Sequence, residues 1–331
     1  MSELGEERVL VVGAGSLGSV YGGLLARAGH DVQLFAREPH ARAITENGGL
    51  RLQSKGEETL VPLRADWRSE RIEPADIAIV LTKSLDTRSA LAGLDHVVPE
   101  LRVAVSLQNS VEKDEILHAW AGRERVVGGM SMVGGTLVEP GYVHHTFDRS
   151  TVVGELPRGT SARIVRLAEL LADAGLSGVA SDNVLGVEWA KLIHALPSMA
   201  LPALTRKNLH EILIDPDLAR LYVALVREGV AVADAAGVEI DEGPLAFPLR
   251  QIAKSHTEEA IALVQEQGRR FVEAGMTEVR VSMLQSIESG RRLEVEAIHG
   301  YVVREAARLA VPVPTTESCY RMLAAIDRSF A

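Results

Sequence analysis

The chain has 331 residues, is 47% hydrophobic and 24% charged, and carries a net charge of −10. That length suits two domains rather than one, and that composition suits a soluble globular protein with a full core. The negative balance argues against nucleic acid as a partner, while a local cluster of positive side chains still permits an anionic small-molecule substrate.

No run of about 18 apolar residues is present, so no membrane span is expected. The acidic, polar start MSELGEERVL predicts no signal peptide. Cys319 is the only cysteine, which excludes an internal disulfide and a zinc cluster built from thiolates. A reducing, cytoplasmic setting follows. Aromatic residues make up only 4%, so the core is expected to be aliphatic.

The segment RVLVVGAGSLGSVYGGLLARAGHDVQLFAR (8–37) opens with a β-branched run over Arg8–Val12, read as a buried strand. Gly13-Ala14-Gly15-Ser16-Leu17-Gly18 follows, then helical spacing over 17–27, a stop at Gly29, and a second strand over Asp31–Phe35. Strand, glycine turn, helix and strand form the context of a dinucleotide-binding fingerprint. Gly13 permits the tight turn, Gly15 lets the backbone approach a pyrophosphate, and Gly18 lets helix and strand pack closely. The helix N-terminus then offers free N–H groups and a positive dipole end. Arg37 ends the second strand and is suited to a 2′-phosphate, which favours NADP. The adjacent Glu38 is suited to a ribose hydroxyl, the alternative.

ADIAIVLTK (75–83) predicts a fourth, buried strand ending in Lys83. RVAVSLQN (102–109) predicts the next, ending in Gln108 and Asn109. In open α/β sheets ligands sit beyond the carboxyl ends of strands, so both polar endings are expected at the cofactor cleft. VVGGMSMVGGTLVEPGYVHHTF (126–147), with two Gly-Gly pairs and a Pro-Gly turn, predicts an antiparallel extension of the sheet. Its His144 and His145 are read as packing or hydrogen-bonding residues, and no metal is assigned. A strand near 151–155, a helix near 161–174 and a strand near 177–181 close the domain.

From about residue 183 long helical periods take over, with breaks expected near Pro197, Pro202, Pro216, Pro244, Pro248 and the VPVPTT segment (311–316). The expected fold is α/β, a parallel-sheet Rossmann-type domain over 1–182 followed by an all-helical domain over 183–331. On a helix starting near Asn183, the residues Val184, Val187, Glu188, Lys191 and Ala195 share a face. An ammonium on such a stripe loses solvation, its pKa falls, and it becomes a usable proton donor. Snorkelling of Lys191 to water is the competing reading. Over 282–303 one long helix would align Met283, Ile287, Gly290, Glu294, Ala297, Ile298 and Tyr301, with Glu288 and Glu296 on the solvated side. A carboxylate on that stripe needs a partner, and Lys191 is the candidate, in a catalytic pair or a core salt bridge. Gly290 and Gly300 there suggest close approach of something.

These residues together resemble the ketopantoate reductase family (2-dehydropantoate 2-reductase and its relatives). The resemblance rests on GAGSLGSVYGGLLARAGHDV, LTK at 81–83, LQN at 107–109, PGYVHH at 140–145, WAKL at 189–192, DPDLARLY at 215–222, SMLQSIESGRRLEVEAIHG at 282–300 and VPVPTT at 311–316. It implies NADP as cofactor, a small-molecule 2-oxo acid as substrate and a place in pantothenate biosynthesis. The general acid then falls on Lys191, and the carboxylate that anchors lysine and substrate falls on Glu294, which also counts among the cofactor contacts. A serine for the substrate carboxylate falls on Ser282. Asn109 faces the nicotinamide ribose and substrate, and Arg37 and Lys83 meet the adenosine or phosphate end. The pattern departs at two substrate-facing positions, where Ala195 and Met199 stand in place of asparagines, and a common aspartate is Ser286. His194 or Ser198 is available as a replacement donor. Three readings remain: reduction of a 2-dehydropantoate-like 2-oxo acid, reduction of a less polar carbonyl or imine, and a non-catalytic NADP sensor. A homodimer is compatible with the apolar helices, which serve a core equally well.

Overall fold

The structure is a computed structural model and describes residues 7–245 and 247–330. One compact unit ends at Leu185 and a second begins at Gly186; Asn109–Val111 belong to the second.

The first unit runs β1 (Arg8–Val12), α1 (Ser16–Arg27), β2 (Asp31–Phe35), α2 (Glu38–Glu46), β3 (Leu50–Ser54), β4 (Glu57–Val61), β5 (Arg64–Asp66), β6 (Ile77–Val80), α3 (Thr87–Leu91), β7 (Val103–Ser106), α4 (Lys113–Ala121), β8 (Val126–Glu139), β9 (Tyr142–Gly154), α5 (Ala162–Asp173) and β10 (Gly178–Ala180). Among the described residues these strands form one sheet in the order β4-β3-β9-β8-β7-β6-β1-β2-β5, with β10 on β9. β5, β2, β1, β6 and β7 are parallel throughout, and β8 and β9 form a long antiparallel hairpin. The alternation along β1 fixes the layers. Val9 and Val11 join Tyr21, Leu24 and Leu25 of α1 and Leu167 of α5 in one core. Leu10 and Val12 join Leu91 of α3 and Leu117 of α4 in the other. Helices therefore cover both faces, which a parallel sheet requires to keep its ladder dry.

Three expectations change in detail. The run at 75–83 is the sixth strand rather than the fourth, because polar residues at 50–66 hide three short strands; only Leu50, Leu52 and Ser54 alternate inward along β3. It also stops at Val80, leaving Lys83 on the following turn. The strand near 151–155 is the far end of β9.

The second unit contains α6 (Val184–Thr205, which begins just before the boundary), α7 (Leu209–Ile214), α8 (Pro216–Ala235), α9 (Leu249–Lys254), α10 (Thr257–Glu273), α11 (Ser282–Glu288), a π-helical turn (Glu296–Gly300), α12 (Tyr301–Leu309) and α13 (Pro314–Arg328). No described helix is long and apolar enough to cross a membrane. α8 starts where the sequence says it should. Asp215 accepts the Asp217 and Leu218 N–H groups at 3.0 Å each, and Pro216 takes the first helical position. Gly229 of α8 lets Ile193 and Leu196 of α6 approach to about 3 Å of where its Cβ would stand.

The breaks expected at Pro197 and Pro202 do not occur; α6 runs through both. Each interior proline costs a helix about 3 kcal/mol. Leu192, Ile193, Leu196 and Leu201 are all at most 2% exposed. At roughly 1.5–3 kcal/mol for each such side chain, burial outweighs the two prolines.

Candidate active site

The dinucleotide loop is built from backbone. Gly13 has φ +87, and a Cβ there would lie 2.5 Å from the Thr82 nitrogen. A Cβ on Gly18 would lie 2.5 Å from the Gly13 carbonyl oxygen. At Gly15 the space a Cβ would take is open, and the residue is exposed. Gly15 is also the N-cap of α1 and supplies no capping side chain, so the first-turn N–H groups face that open space uncapped. Ser16, Leu17 and Gly18 form that first turn. A bare backbone, uncapped donors and a positive dipole end fit a pyrophosphate.

The loop is braced from two sides. Leu137 donates its N–H to Ser16 Oγ at 3.1 Å. Gly141 donates its N–H to His40 Nδ1 at 2.9 Å, so the ring proton sits on Nε2 and is donated to Ser19 Oγ, also at 2.9 Å. The Ser19 hydroxyl turns to the Ala14 carbonyl at 3.4 Å. Burial pushes the pKa of His40 down to about 4, which keeps the ring neutral and the chain of donors intact.

Arg37 and Glu38 are told apart by what they touch. The Glu38 carboxylate is taken by Arg42 one turn on, at 2.7 and 2.9 Å. The Arg37 side chain is 86% exposed and pairs with the exposed Asp86 at 3.0 Å. Both therefore sit in exposed ion pairs just past β2, and Arg37 is the more exposed of the two and the one with positive charge. Lys83 is half-buried at the start of the turn after β6. Gln108, expected at the cleft, sits beneath the dinucleotide loop rather than open to it. It is buried, and its amide donates to the Thr82 carbonyl at 2.6 Å and to Thr87 Oγ1 at 2.7 Å. It therefore holds Thr82, the residue that crowds Gly13. Asn109, three residues past β7, is half-buried in the second unit. His145 is buried between Ser54 Oγ, at 3.0 Å, and the Phe147 carbonyl, at 3.1 Å.

In the second unit α6 is buried nearly all round, so Lys191 does not project from a narrow stripe. It is half-buried, with Glu188, only 4% exposed, one turn before it and buried Ala195 one turn after. Met199 follows one turn further on the same side. His194 packs edge-on against Phe247, 4.9 Å between centroids, and Ser198 Oγ donates back to the His194 carbonyl at 2.7 Å.

The single helix expected over 282–303 is broken. α11 ends at Glu288, and Gly290 adopts φ +61. No atom lies within 4 Å of the place of its Cβ, so Gly290 serves as a left-handed helix stop rather than a point of close approach. Residues 291–294 lie outside any helix or strand, and a π-helical turn precedes α12. Gly300 is a close approach: a Cβ there would meet Glu296, Arg304 and Tyr320. Glu288 and Glu296 are exposed as expected. Glu294 thus stands on an irregular segment beside a π turn, a combination common at functional sites. The break gathers what the helix would have spread out. Met199, Ser282, Met283, Ser286, Glu294 and Ile298 line one small cleft, open to solvent at its mouth. Ser282 and Met199 touch across it, Oγ to Sδ, at 3.6 Å. A carboxylate and two hydroxyls on an otherwise apolar wall suit a small polar molecule with one apolar side.

The family model described as ketopantoate reductase PanE/ApbA matches residues 9–158, and its C-terminal companion matches residues 183–327. The chain belongs to the ketopantoate reductase family. Members of this family are NADP-dependent oxidoreductases, and NADP is the cofactor the glycine loop and Arg37 fit. The 2-dehydropantoate 2-reductase of Pyrococcus abyssi is 30% identical over 308 residues, 93% of each chain. That of Archaeoglobus fulgidus is 29% identical, over 97% of this chain and 98% of its own. Among solved structures, a PanE/ApbA family ketopantoate reductase from Ralstonia eutropha superposes with a TM-score of 0.81 at 29% identity, covering 98% of this chain and 99% of its own. D-mandelate dehydrogenase, solved with NADH and anilino(oxo)acetate, shares the fold with a TM-score of 0.85 at 23% identity, covering 98% of this chain and 99% of its own.

Proposed function

We propose that the chain reduces a small 2-oxo acid to the 2-hydroxy acid with NADPH, 2-dehydropantoate being the first candidate. Bound NADPH supplies the hydride that goes to the carbonyl carbon. The chain's own residues do the rest. The first turn of α1 holds the pyrophosphate, and Arg37, with Lys83, holds the phosphate end. Lys191 gives its proton to the oxygen that becomes alkoxide as the carbonyl is reduced. Glu294 orients the Lys191 ammonium and the substrate hydroxyl, and Ser282 with Asn109 receives the substrate's polar groups.

The observation that carries this reading is the cleft where Glu294 and Ser282 converge, a turn or two along from Lys191 on α6. A second reading draws on the same wall. Met199, Met283 and Ile298 line the cleft, which favours a 2-oxo acid, or another carbonyl compound, with an apolar substituent. NADPH consumption with 2-dehydropantoate and with 2-oxo acids carrying aliphatic or aromatic side chains separates the two. Turnover of 2-dehydropantoate supports the first, turnover of only the apolar acids supports the second, and no turnover with any of them contradicts both.

A further inference from the structure

Glu294 stands at the start of the π-helical turn, its carbonyl accepting the Ile298 N–H at 3.2 Å, and the residues just before it are tied to α13. Asp327, next to last in α13, is buried. Its Oδ1 accepts the Leu293 N–H at 2.7 Å and Arg292 Nε at 2.9 Å. Its Oδ2 accepts Arg292 Nη2 at 2.6 Å. One carboxylate therefore fixes the backbone immediately before Glu294 and the side chain before that. On the other flank His299, inside the π turn, donates Nε2–H to the Leu196 carbonyl of α6 at 2.9 Å. The two ties do different work. An Arg–Asp pair with a half-exposed arginine adds little stability on its own. The buried Leu293 N–H needs an acceptor, and Asp327 is the one it has.

We propose that Asp327 is a positioning residue for Glu294: through the Leu293 N–H and Arg292 it holds the irregular 291–294 segment so that the Glu294 carboxylate stays in the cleft with Ser282 and Met199. The proposal rests on the role given to Glu294 above. It makes the end of the C-terminal helix part of the active site without contact to substrate.

The test is a double-mutant cycle in the full-length protein, with Asp327→Ala and Glu294→Gln alone and together, assayed on the best 2-oxo acid of the substrate panel. Misplacing a catalytic group by about an ångström costs roughly tenfold to a hundredfold in turnover, and that is the loss expected in kcat for Asp327→Ala. KM for NADPH stays within about twofold, because the substitution leaves the dinucleotide loop alone. Hydrogen exchange accelerates over residues 291–295. In the Glu294→Gln background the same substitution costs no more than about twofold further, since the carboxylate it positions is gone. A purely structural role would instead multiply the two losses. Where Asp327→Ala does not accumulate as folded protein, the same cycle with Asp327→Leu decides, a side chain of similar bulk that accepts from neither Leu293 nor Arg292. Full kcat in the Asp327 variants beside a crippled Glu294→Gln overturns the positioning role alone, and so do multiplying losses. Full kcat in Glu294→Gln, or no turnover by the parent, overturns the role of Glu294 and this inference with it.

Discussion

The hydroxyl of Ser282 is aimed at the sulfur of Met199, 3.6 Å away across the cleft that also holds Glu294. A thioether is a weak acceptor, so the hydroxyl keeps most of its hydrogen-bonding capacity for a better partner. It also means that this wall has no amide for a second polar group of the substrate. Substituting Met199→Asn is expected to shift the kcat/KM ratio toward 2-dehydropantoate, and away from 2-oxo acids with apolar side chains, by about tenfold or more. Paired kinetics on the two substrate classes checks it; an unchanged ratio removes Met199 from specificity.

Two glycines of the dinucleotide loop should fail in different ways. A Cβ on Gly18 runs into the Gly13 carbonyl, a backbone atom that cannot step aside, whereas a Cβ on Gly15 meets nothing. Gly18→Ala is expected to destabilise the fold by roughly 1–3 kcal/mol. Gly15→Ala should leave the melting temperature nearly unchanged but weaken NADPH binding, because the methyl occupies the space left for phosphate. Thermal melts with and without NADPH distinguish them.

If Arg37 meets the 2′-phosphate as proposed, its loss should separate the two nicotinamide cofactors. Its ion pair with exposed Asp86 costs little to break. A charge-assisted contact to the 2′-phosphate is worth roughly 1.5–3 kcal/mol. Arg37→Ala should therefore raise KM for NADPH about tenfold or more and leave KM for NADH within about twofold. Equal effects on both cofactors would place the 2′-phosphate elsewhere.

Mild acid should destabilise the fold before its carboxylates titrate. His40 and His299 are buried and held neutral, their pKa values pushed down by desolvation to about 4 from 6.5. Above 6.5 neither state carries the proton, and the histidines are neutral in folded and unfolded chains alike. As pH falls from 6.5 toward 4 the unfolded chain takes up protons that the folded chain refuses, so stability is lost across that window and levels off below it. The slope is up to about 1.4 kcal/mol per pH unit for each group. Urea unfolding between pH 7 and pH 4 is expected to show it, with a shallower slope in His299→Gln.

The first unit is the more legible half because its signals are local. Arg8–Val12 and Asp31–Phe35 are strands to the residue; the first is a β-branched run ending in a glycine turn, which has few other conformations, and the second is set off by Gly29. The 126–147 hairpin declares itself by its Gly-Gly pairs and Pro-Gly turn. The second unit is decided by tertiary packing. Nothing adjacent in sequence announces that α6 tolerates Pro197 and Pro202, because the compensation is burial on every side. The break after Glu288 was signalled by Gly290, but the helical periodicity of 282–303 outweighed it; the left-handed φ of Gly290 is what delivers Glu294 to the same cleft as Met199. Asp327 is invisible from sequence, lying 34 residues from the amide it holds.

The most direct measurement of the central claim is the single-turnover rate of NADPH oxidation by the parent and by Lys191→Ala on the best 2-oxo acid, with NADPH affinity measured in parallel. Proton donation by Lys191 predicts a rate lowered by roughly a hundredfold or more with NADPH affinity nearly intact. An unchanged rate in the variant would contradict it.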